Sequence, residues 1–434
     1  MSKPAREALR LGLLAVLLLA LLASPGAASA ADADKDSEAL LPAWFPGLAS
    51  ALKDAPPFFR DTRLLLQFRT YYRNNEASPD TFQEAWAAGG WLAYQSGWLA
   101  DAFSIGATGY FSLPVYAPAD KGGTLLLKPG EDPIAVLGEA WAKLRYGDQV
   151  LTGYRQLINV GYVNPQDNRM VPNTFEAAML DGKVGWLDYH AGYLFGIKPR
   201  QEDSFLSMAE QAGATDSDAG LVLVGVRAVP WKPFSIEAST AYGIDTYNTV
   251  FLQGEYTLPL AEGIALTVGA QYHDQRSVGS ELIGGFDTWN VGVHARLSVR
   301  AASVDVMFHQ TGDGANILAK YGTWPGYLSL INKDFDHAGE TAWGVKVSYD
   351  FKGLGLPGLT AYVWYAQGTG LINPANGLAA PDEREYNFDV TYTFQSGGLK
   401  GLQIKARAAL IDLEGTPGLL PDVRLILNWP LPLF

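Results

Sequence analysis

The chain has 434 residues, with no cysteine, 12 Trp, 21 Tyr, 19 Phe and 47 Gly, only 18 % charged residues and a formal net charge of −13. Without cysteine there is no disulfide framework and no thiolate metal site, and so acidic a chain gives no reason to expect a nucleic-acid partner. So much aromatic and glycine content beside so little charge is unusual for a soluble protein and fits alternating strands that face lipid.

In chain order, Lys3, Arg6 and Arg10 precede an apolar run at residues 11–22, and Ala28-Ser29-Ala30 follows. This reads as a signal peptide over residues 1–30, cleaved after Ala30. The run is shorter than the roughly 20 residues a spanning helix requires, and no later stretch is long and apolar enough for one. Residues 31–60 are broken by Pro42, Pro56 and Pro57. They read as a periplasmic N-terminal segment: a short helix, a tucked plug or a tail. No linker or shift of composition divides residues 61–434, so they are expected to form one large domain.

Regular alternation begins at residue 63. Arg63, Leu65, Gln67, Arg69, Tyr71 and Arg73 share one face, and Leu64, Leu66, Phe68, Thr70 and Tyr72 the other. Side chains alternate across a strand, so one face is basic and the other apolar. The pattern returns at Ile264, Leu266, Val268, Ala270 and Tyr272, at Trp289, Val291, Val293, Ala295 and Leu297, and at Tyr386, Phe388, Val390, Tyr392 and Phe394. Eighteen such runs fit between residues 62 and 431. Connections after the even runs are mostly brief, as at Gly147-Asp148, whereas most of those after odd runs are long. The predicted fold is all-β: a transmembrane antiparallel β-barrel of eighteen strands with short periplasmic turns and long, inward-folded extracellular loops. A barrel with no open edge is also one of the few structures that satisfies its backbone in lipid. Phe434 follows an amphipathic run interrupted by Pro430 and Pro432, an imperfect match to a C-terminal signal for the barrel assembly machinery.

The third long loop, within residues 157–176, concentrates polar and rigid groups: Asp167, Asn168, Arg169, Pro172, Asn173 and Thr174. It is predicted to narrow the pore, with proline limiting its motion. Arg169 and Asp167 would either meet cargo or pin the loop to the wall.

Four stretches carry a resemblance to a known family: Arg69-Thr70-Tyr71-Tyr72-Arg73-Asn74; Glu84-Ala85-Trp86-Ala87 with Tyr94-Gln95-Ser96-Gly97-Trp98; Lys143-Leu144-Arg145-Tyr146-Gly147-Asp148-Gln149; and residues 168–176. Together they resemble the OprD-type substrate-specific porins of Pseudomonas and related bacteria. Gln83 and Asn173 depart from the family's pattern, as do the surroundings of Asp167 and the N-terminal extension. The resemblance implies an eighteen-stranded outer-membrane barrel, loops folded inward, a basic ladder along the pore, and uptake of small solutes that usually bear a carboxylate.

Strand parity places Arg69, Arg73, Lys143, Arg145, Arg227, Arg296, Lys405, Arg407 and Arg424 on the pore face. A planar guanidinium donates two parallel hydrogen bonds to a carboxylate, and a row of such sites lets an anion pass without a deep trap. Each of them would otherwise pair with a wall carboxylate such as Glu237, Glu255, Asp305 or Asp389. Asp313, Asp334, Asp336, Glu340, Asp382, Glu383 and Glu385 are expected at the loops and mouths, as a solvated acidic surface. His190, His273, His294, His309 and His337 show no metal-ligand spacing, and no nucleophile elbow or phosphate loop occurs. The sequence therefore predicts a passive channel and no enzyme, with neither catalytic residues nor metal nor cofactor. Its expected partners are small-molecule solutes, outer-membrane lipid, lipopolysaccharide and the barrel assembly machinery, with the chain a monomer or homotrimer. Two other readings remain open: a hydrolase built on a barrel, and a conduit for hydrophobic compounds or polymer.

Overall fold

The computed structural model describes residues 46–433. The expected signal peptide, the first part of the N-terminal segment and Phe434 lie outside the described residues. Two short helices, α1 (Pro46–Lys53) and α2 (Pro57–Arg60), precede the first strand. The second rests on the turn at residues 96–102, where the Gly97 amide donates to the Phe58 carbonyl at 2.9 Å.

Eighteen long strands follow in order. They are β1 (Arg63–Ser78), β2 (Thr81–Gln95), β3 (Phe103–Tyr116), β4 (Ile134–Tyr146), β5 (Gln149–Gln156) and β6 (Thr174–Val184). Next come β7 (Leu187–Lys198), β8 (Leu221–Trp231), β9 (Phe234–Gly243), β10 (Tyr247–Ala261), β11 (Ile264–Ser277) and β12 (Asp287–Val299). The last six are β13 (Ala302–Thr311), β14 (Thr341–Asp350), β15 (Leu359–Thr369), β16 (Glu383–Thr393), β17 (Gln403–Leu413) and β18 (Leu420–Pro432). Each pairs antiparallel with the next, and β1 closes on β18 with Arg69 opposite Asn428 and Arg73 opposite Arg424. The result is a closed barrel, which removes the edges that so many strands would otherwise expose.

The parity read from sequence is the parity of the barrel. On β1, Gln67, Arg69, Tyr71, Arg73 and Asn75 are buried inward, while Leu66 and Phe68 are exposed outward. On β12, Thr288, Asn290 and His294 face in, and Trp289, Val291, Val293 and Leu297 face out. Apolar side chains standing exposed around the outside are what hydrocarbon requires, because a charge on that face at mid-depth costs roughly 2–4 kcal/mol. The strand boundaries differ from expectation chiefly at β1 and β2. These extend into a tight turn at residues 79–80, where Asp80 takes a left-handed conformation (φ 63°), so this connection is short although it follows an odd strand. The β9–β10 connection is likewise only residues 244–246.

The apolar core is not in the wall but where loops fill the lumen. One cluster packs Ile158, Val160 and Val163 against Phe175, Leu194 and Leu223. A second packs Met170 and Val171 against Tyr71, Ala85, Tyr110 and Ile134. The loop at residues 157–173 contributes to both, so it runs from the β6–β9 wall across to the β1–β4 wall.

Candidate functional site

The crossing loop is held at both ends by buried cations. At one wall, the Arg69 guanidinium binds both oxygens of Asp167 at 2.5 and 3.1 Å and the Arg169 carbonyl at 2.7 Å. At the other, Lys198 at the end of β7 is fully buried and donates to the carbonyls of Pro172 (2.8 Å) and Pro199 (2.9 Å). Between these anchors the loop braces itself. The Asn173 amide donates to the Pro165 carbonyl at 2.7 Å, and Asn164 Oδ1 accepts from the Gln166 amide at 3.2 Å. Gly161 sits at φ 53° where a Cβ would come within 2.3 Å of Ser239 Oγ, so only glycine lets the loop approach β9.

A second loop, residues 312–340, folds in beside the first. Asn164 joins the two, donating to the Thr323 carbonyl and accepting from its amide, both at 2.8 Å. Trp324 is buried against Tyr162 and His309, and its indole N–H donates to the Tyr162 hydroxyl at 3.0 Å. The Tyr162 hydroxyl also lies 2.7 Å from His273 Nδ1. These inward histidines therefore clamp loops to the wall. A cavity of about 550 Å3 lies between loops and wall, lined by Asn164 and Trp324 and by His190, Arg227, Glu237 and Glu255.

Eight of the nine basic pore residues named from sequence fall into three groups. Arg69, Arg73 and Arg424 are buried and engaged: Arg73 and Arg424 both bind Asp422 Oδ2 at 2.8 Å, and Arg424 also reaches Asn332 of the second loop at 2.9 Å. Arg296 and Arg407 face the lumen but carry a carboxylate partner, Asp305 at 2.5 Å and Asp389 at 2.7 Å. Lys143, Arg227 and Lys405 face the lumen with no ion pair among the described residues, Lys143 lying 4.2 Å over the Trp141 ring. Arg145 sits apart at the periplasmic rim, paired with Asp101 and stacked 4.0 Å over Trp98.

Register links these groups into a band. Arg73 on β1 lies opposite Arg424 on β18, which lies opposite Arg407 on β17, which lies opposite Asp389 on β16. Arg169 is buried in the first loop, and Arg200 is half-buried beside it, donating to Asn168. Burial first, then Arg424, Arg73 and Arg200, push the Arg169 guanidinium well below its ordinary value, and burial with Arg73 and Arg424 pushes that of Arg200 down to about 10. Arginine stays charged in proteins. Four guanidiniums thus gather around the loop, with Asp422 as the carboxylate bonded to two of them.

Sequence reasoning missed Lys198, Arg200, Lys346 and Asp422. Lys346 was within reach of parity, since it lies on the inward face of β14 with Ala342 and Gly344; it stacks 4.2 Å over Tyr362 and 4.6 Å over Trp364. Asp422 was within reach too, since it lies on β18 on the same face as Arg424, whereas Lys198 and Arg200 take their roles from loop folding that no periodicity encodes. The acidic loop residues also require correction. Glu340, Glu383 and Glu385 are fully or almost fully buried, because the second loop turns inward, taking Glu340 with it and covering Glu383 and Glu385 on β16. Glu385 accepts the amides of Asn332 and Lys333 at 3.1 and 2.7 Å, which pins that loop.

Comparison with known proteins places this architecture. The family model described as outer membrane porin, OprD family, matches residues 56–433. Porin D of Pseudomonas aeruginosa is 25 % identical over 416 residues, covering 87 % of this chain and 92 % of that one. Among solved structures, Pseudomonas aeruginosa OccK9 (OpdG) superposes with a TM-score of 0.80 at 24 % identity, covering 87 % of this chain and all of that one. Pseudomonas aeruginosa OpdK, solved with vanillate, superposes with a TM-score of 0.78 at 22 % identity, covering 86 % and 100 %.

Proposed function

Since the chain belongs to the OprD family of outer membrane porins, we propose that it is a passive channel through which small carboxylate-bearing solutes cross the bacterial outer membrane. The observation that carries the reading is the row of basic side chains on the lumen face of the wall. Lys143, Arg227, Lys346 and Lys405 face the lumen with no ion pair among the described residues, and Arg296 and Arg407 stand beside them with one carboxylate partner each. A solute carboxylate meets their ammonium groups and planar guanidinium donors there. Lys405, Arg407, Lys346 and Arg296 then offer successive contacts down the inward faces of β17, β14 and β12. Spacing charge over several shallow sites lets an anion enter and still leave. Vanillate, the solute bound in OpdK, has such a carboxylate beside an aromatic ring.

Glu237 and Glu255 stand on the opposite wall, so the lumen presents both signs. A zwitterion such as an amino acid can then be oriented, with its carboxylate toward the basic band. The histidines support a channel over a hydrolase. His190 bonds Asp181, His294 bonds Asp305, His273 bonds Tyr162 and His337 contacts Glu340, and none holds a serine or threonine hydroxyl among the described residues. The outer contacts are with lipid and lipopolysaccharide, and one barrel suffices as a conduit.

Reconstitution in planar bilayers tests the reading. Discrete conductance steps, an anion-favouring reversal potential in a salt gradient, and benzoate flux exceeding that of a neutral sugar of similar size are expected. A cation-selective channel, or equal flux of benzoate and the neutral solute, would overturn it.

A further inference from the structure

The pore reading leaves one group of side chains unused. At the end of the second inward loop, His337 and Glu340 lie one helical-turn spacing apart in sequence, and Glu383 opens β16 beside them. His337 Nδ1 is 3.4 Å from Glu340 Oε2 and 3.6 Å from Glu383 Oε1, and one ligand atom from each residue lies within 4.8 Å of the others. Two ligands held 2.0–2.2 Å from a tetrahedral ion stand roughly 3.3–3.6 Å apart, so both imidazole–carboxylate edges already have the length a bound ion requires.

The carboxylates are also short of partners. Glu340 is fully buried and Glu383 is 2 % exposed, yet Glu340 Oε1 and Glu383 Oε1 have no hydrogen-bond partner. Glu383 Oε1 is the atom that faces the His337 ring nitrogen. Its other oxygen is held by Lys333 Nζ at 2.7 Å, and Glu340 Oε2 accepts the His337 amide at 2.9 Å. Those contacts fix the carboxylates from behind, as outer-shell partners do at metal sites. Asp334 and Asp336 of the same loop interact electrostatically with His337 and Glu383, which adds carboxyl groups around the cluster. Buried, unpaired carboxylate oxygens are expensive unless something positive meets them.

We propose that His337, Glu340 and Glu383 form a site for one divalent transition-metal ion, which fastens the second inward loop to the extracellular end of β16. One imidazole nitrogen and two carboxylate oxygens suit Zn2+ or a similar borderline ion better than Ca2+ or Mg2+, which take oxygen-rich shells of six or more ligands. Three protein ligands leave a fourth position for water. His337 is about one-third exposed, which gives the ion a route from the mouth.

The test uses the full barrel in detergent, with Zn2+ as the probe. Metal analysis after dialysis is expected to give one Zn2+ per chain, and X-ray absorption a mixed nitrogen–oxygen shell containing one imidazole. His337→Ala, at the mouth, should weaken binding by more than the roughly 10- to 100-fold that loss of an outer-shell partner costs. Glu383→Gln should do likewise, while His190→Ala should bind as the wild type does. Heat-modifiable migration on gels reports whether each barrel is folded, and the wild-type stoichiometry and spectrum decide the matter if a variant is not. No stoichiometric Zn2+ on the wild type, or binding that survives His337→Ala or disappears in His190→Ala, would overturn the site. In the first case the cluster is an ion pair between imidazolium and carboxylate and nothing more.

Discussion

Arg69 on β1 and Lys405 on β17 have the same parity and opposite situations. Arg69 is buried under the crossing loop, with its donors spent on Asp167 and two loop carbonyls, and the Trp91 ring lies 5.0 Å from its charge. Lys405 faces the lumen, half-exposed, with no ion pair among the described residues. Strand periodicity assigns both to the pore, and only loop packing separates them. A cation beneath the inward loops is a fastener that shapes the gate. A cation clear of them is free to meet solute. Read this way, the basic set is two devices on one face: Arg69, Arg73, Arg424 and Lys198 hold loops, and Lys143, Arg227, Lys346 and Lys405, with the singly paired Arg296 and Arg407, line the path.

The sharpest break of that comparison is at Asp422. Its replacement by alanine leaves Arg73 and Arg424 buried without their carboxylate, and removing one partner of a buried pair costs about 3–5 kcal/mol. Urea unfolding of the folded barrel should show a loss of that size; a loss below about 1 kcal/mol would place these arginines with the exposed pairs.

Arg69→Ala removes charged hydrogen bonds to the loop, each worth about 1.5–3 kcal/mol, and frees residues 157–173 at one end. Larger and noisier single-channel currents should follow. Lys198→Met strips two carbonyls of their donor at the other end, and the same change in current noise sharpens the case that both cations are fasteners.

Lys405→Ala belongs to the other device. Unfolding free energy should stay within about 0.5 kcal/mol of wild type, while benzoate flux and anion preference fall several-fold. The smallest effect is expected at Arg296→Ala. That cation is about half exposed and already paired with Asp305, so stability should change by about 0–1 kcal/mol and selectivity only slightly.

The wall was legible in the sequence because lipid and lumen impose a two-residue period on every strand, and turn length then orients the barrel. β9, at residues 234–243, is one of the strands that complete the eighteen runs counted by alternation. The crossing loop was legible as a polar, proline-marked interruption, but its attachment was open between cargo and wall. The structure shows Asp167 on Arg69. The second inward loop was not legible. Residues 312–340 look acidic and solvated in sequence, and their burial depends on contacts such as Trp324 with His309 and Glu385 with the Lys333 amide, which join residues that no local pattern relates. The same holds for the His337, Glu340 and Glu383 cluster, whose third member comes from another strand.

The most direct test sets a lining cation against a fastening one. Reversal potential in a tenfold KCl gradient, with melting recorded on the same preparations, compares wild type, Lys405→Ala combined with Lys346→Ala, and Arg69→Ala. The double variant should lose most of its anion preference with its melting temperature unchanged. Arg69→Ala should keep its anion preference, melt lower and conduct more. An unchanged reversal potential in the double variant, with anion preference lost in Arg69→Ala, would contradict the division of the basic face into gate and path.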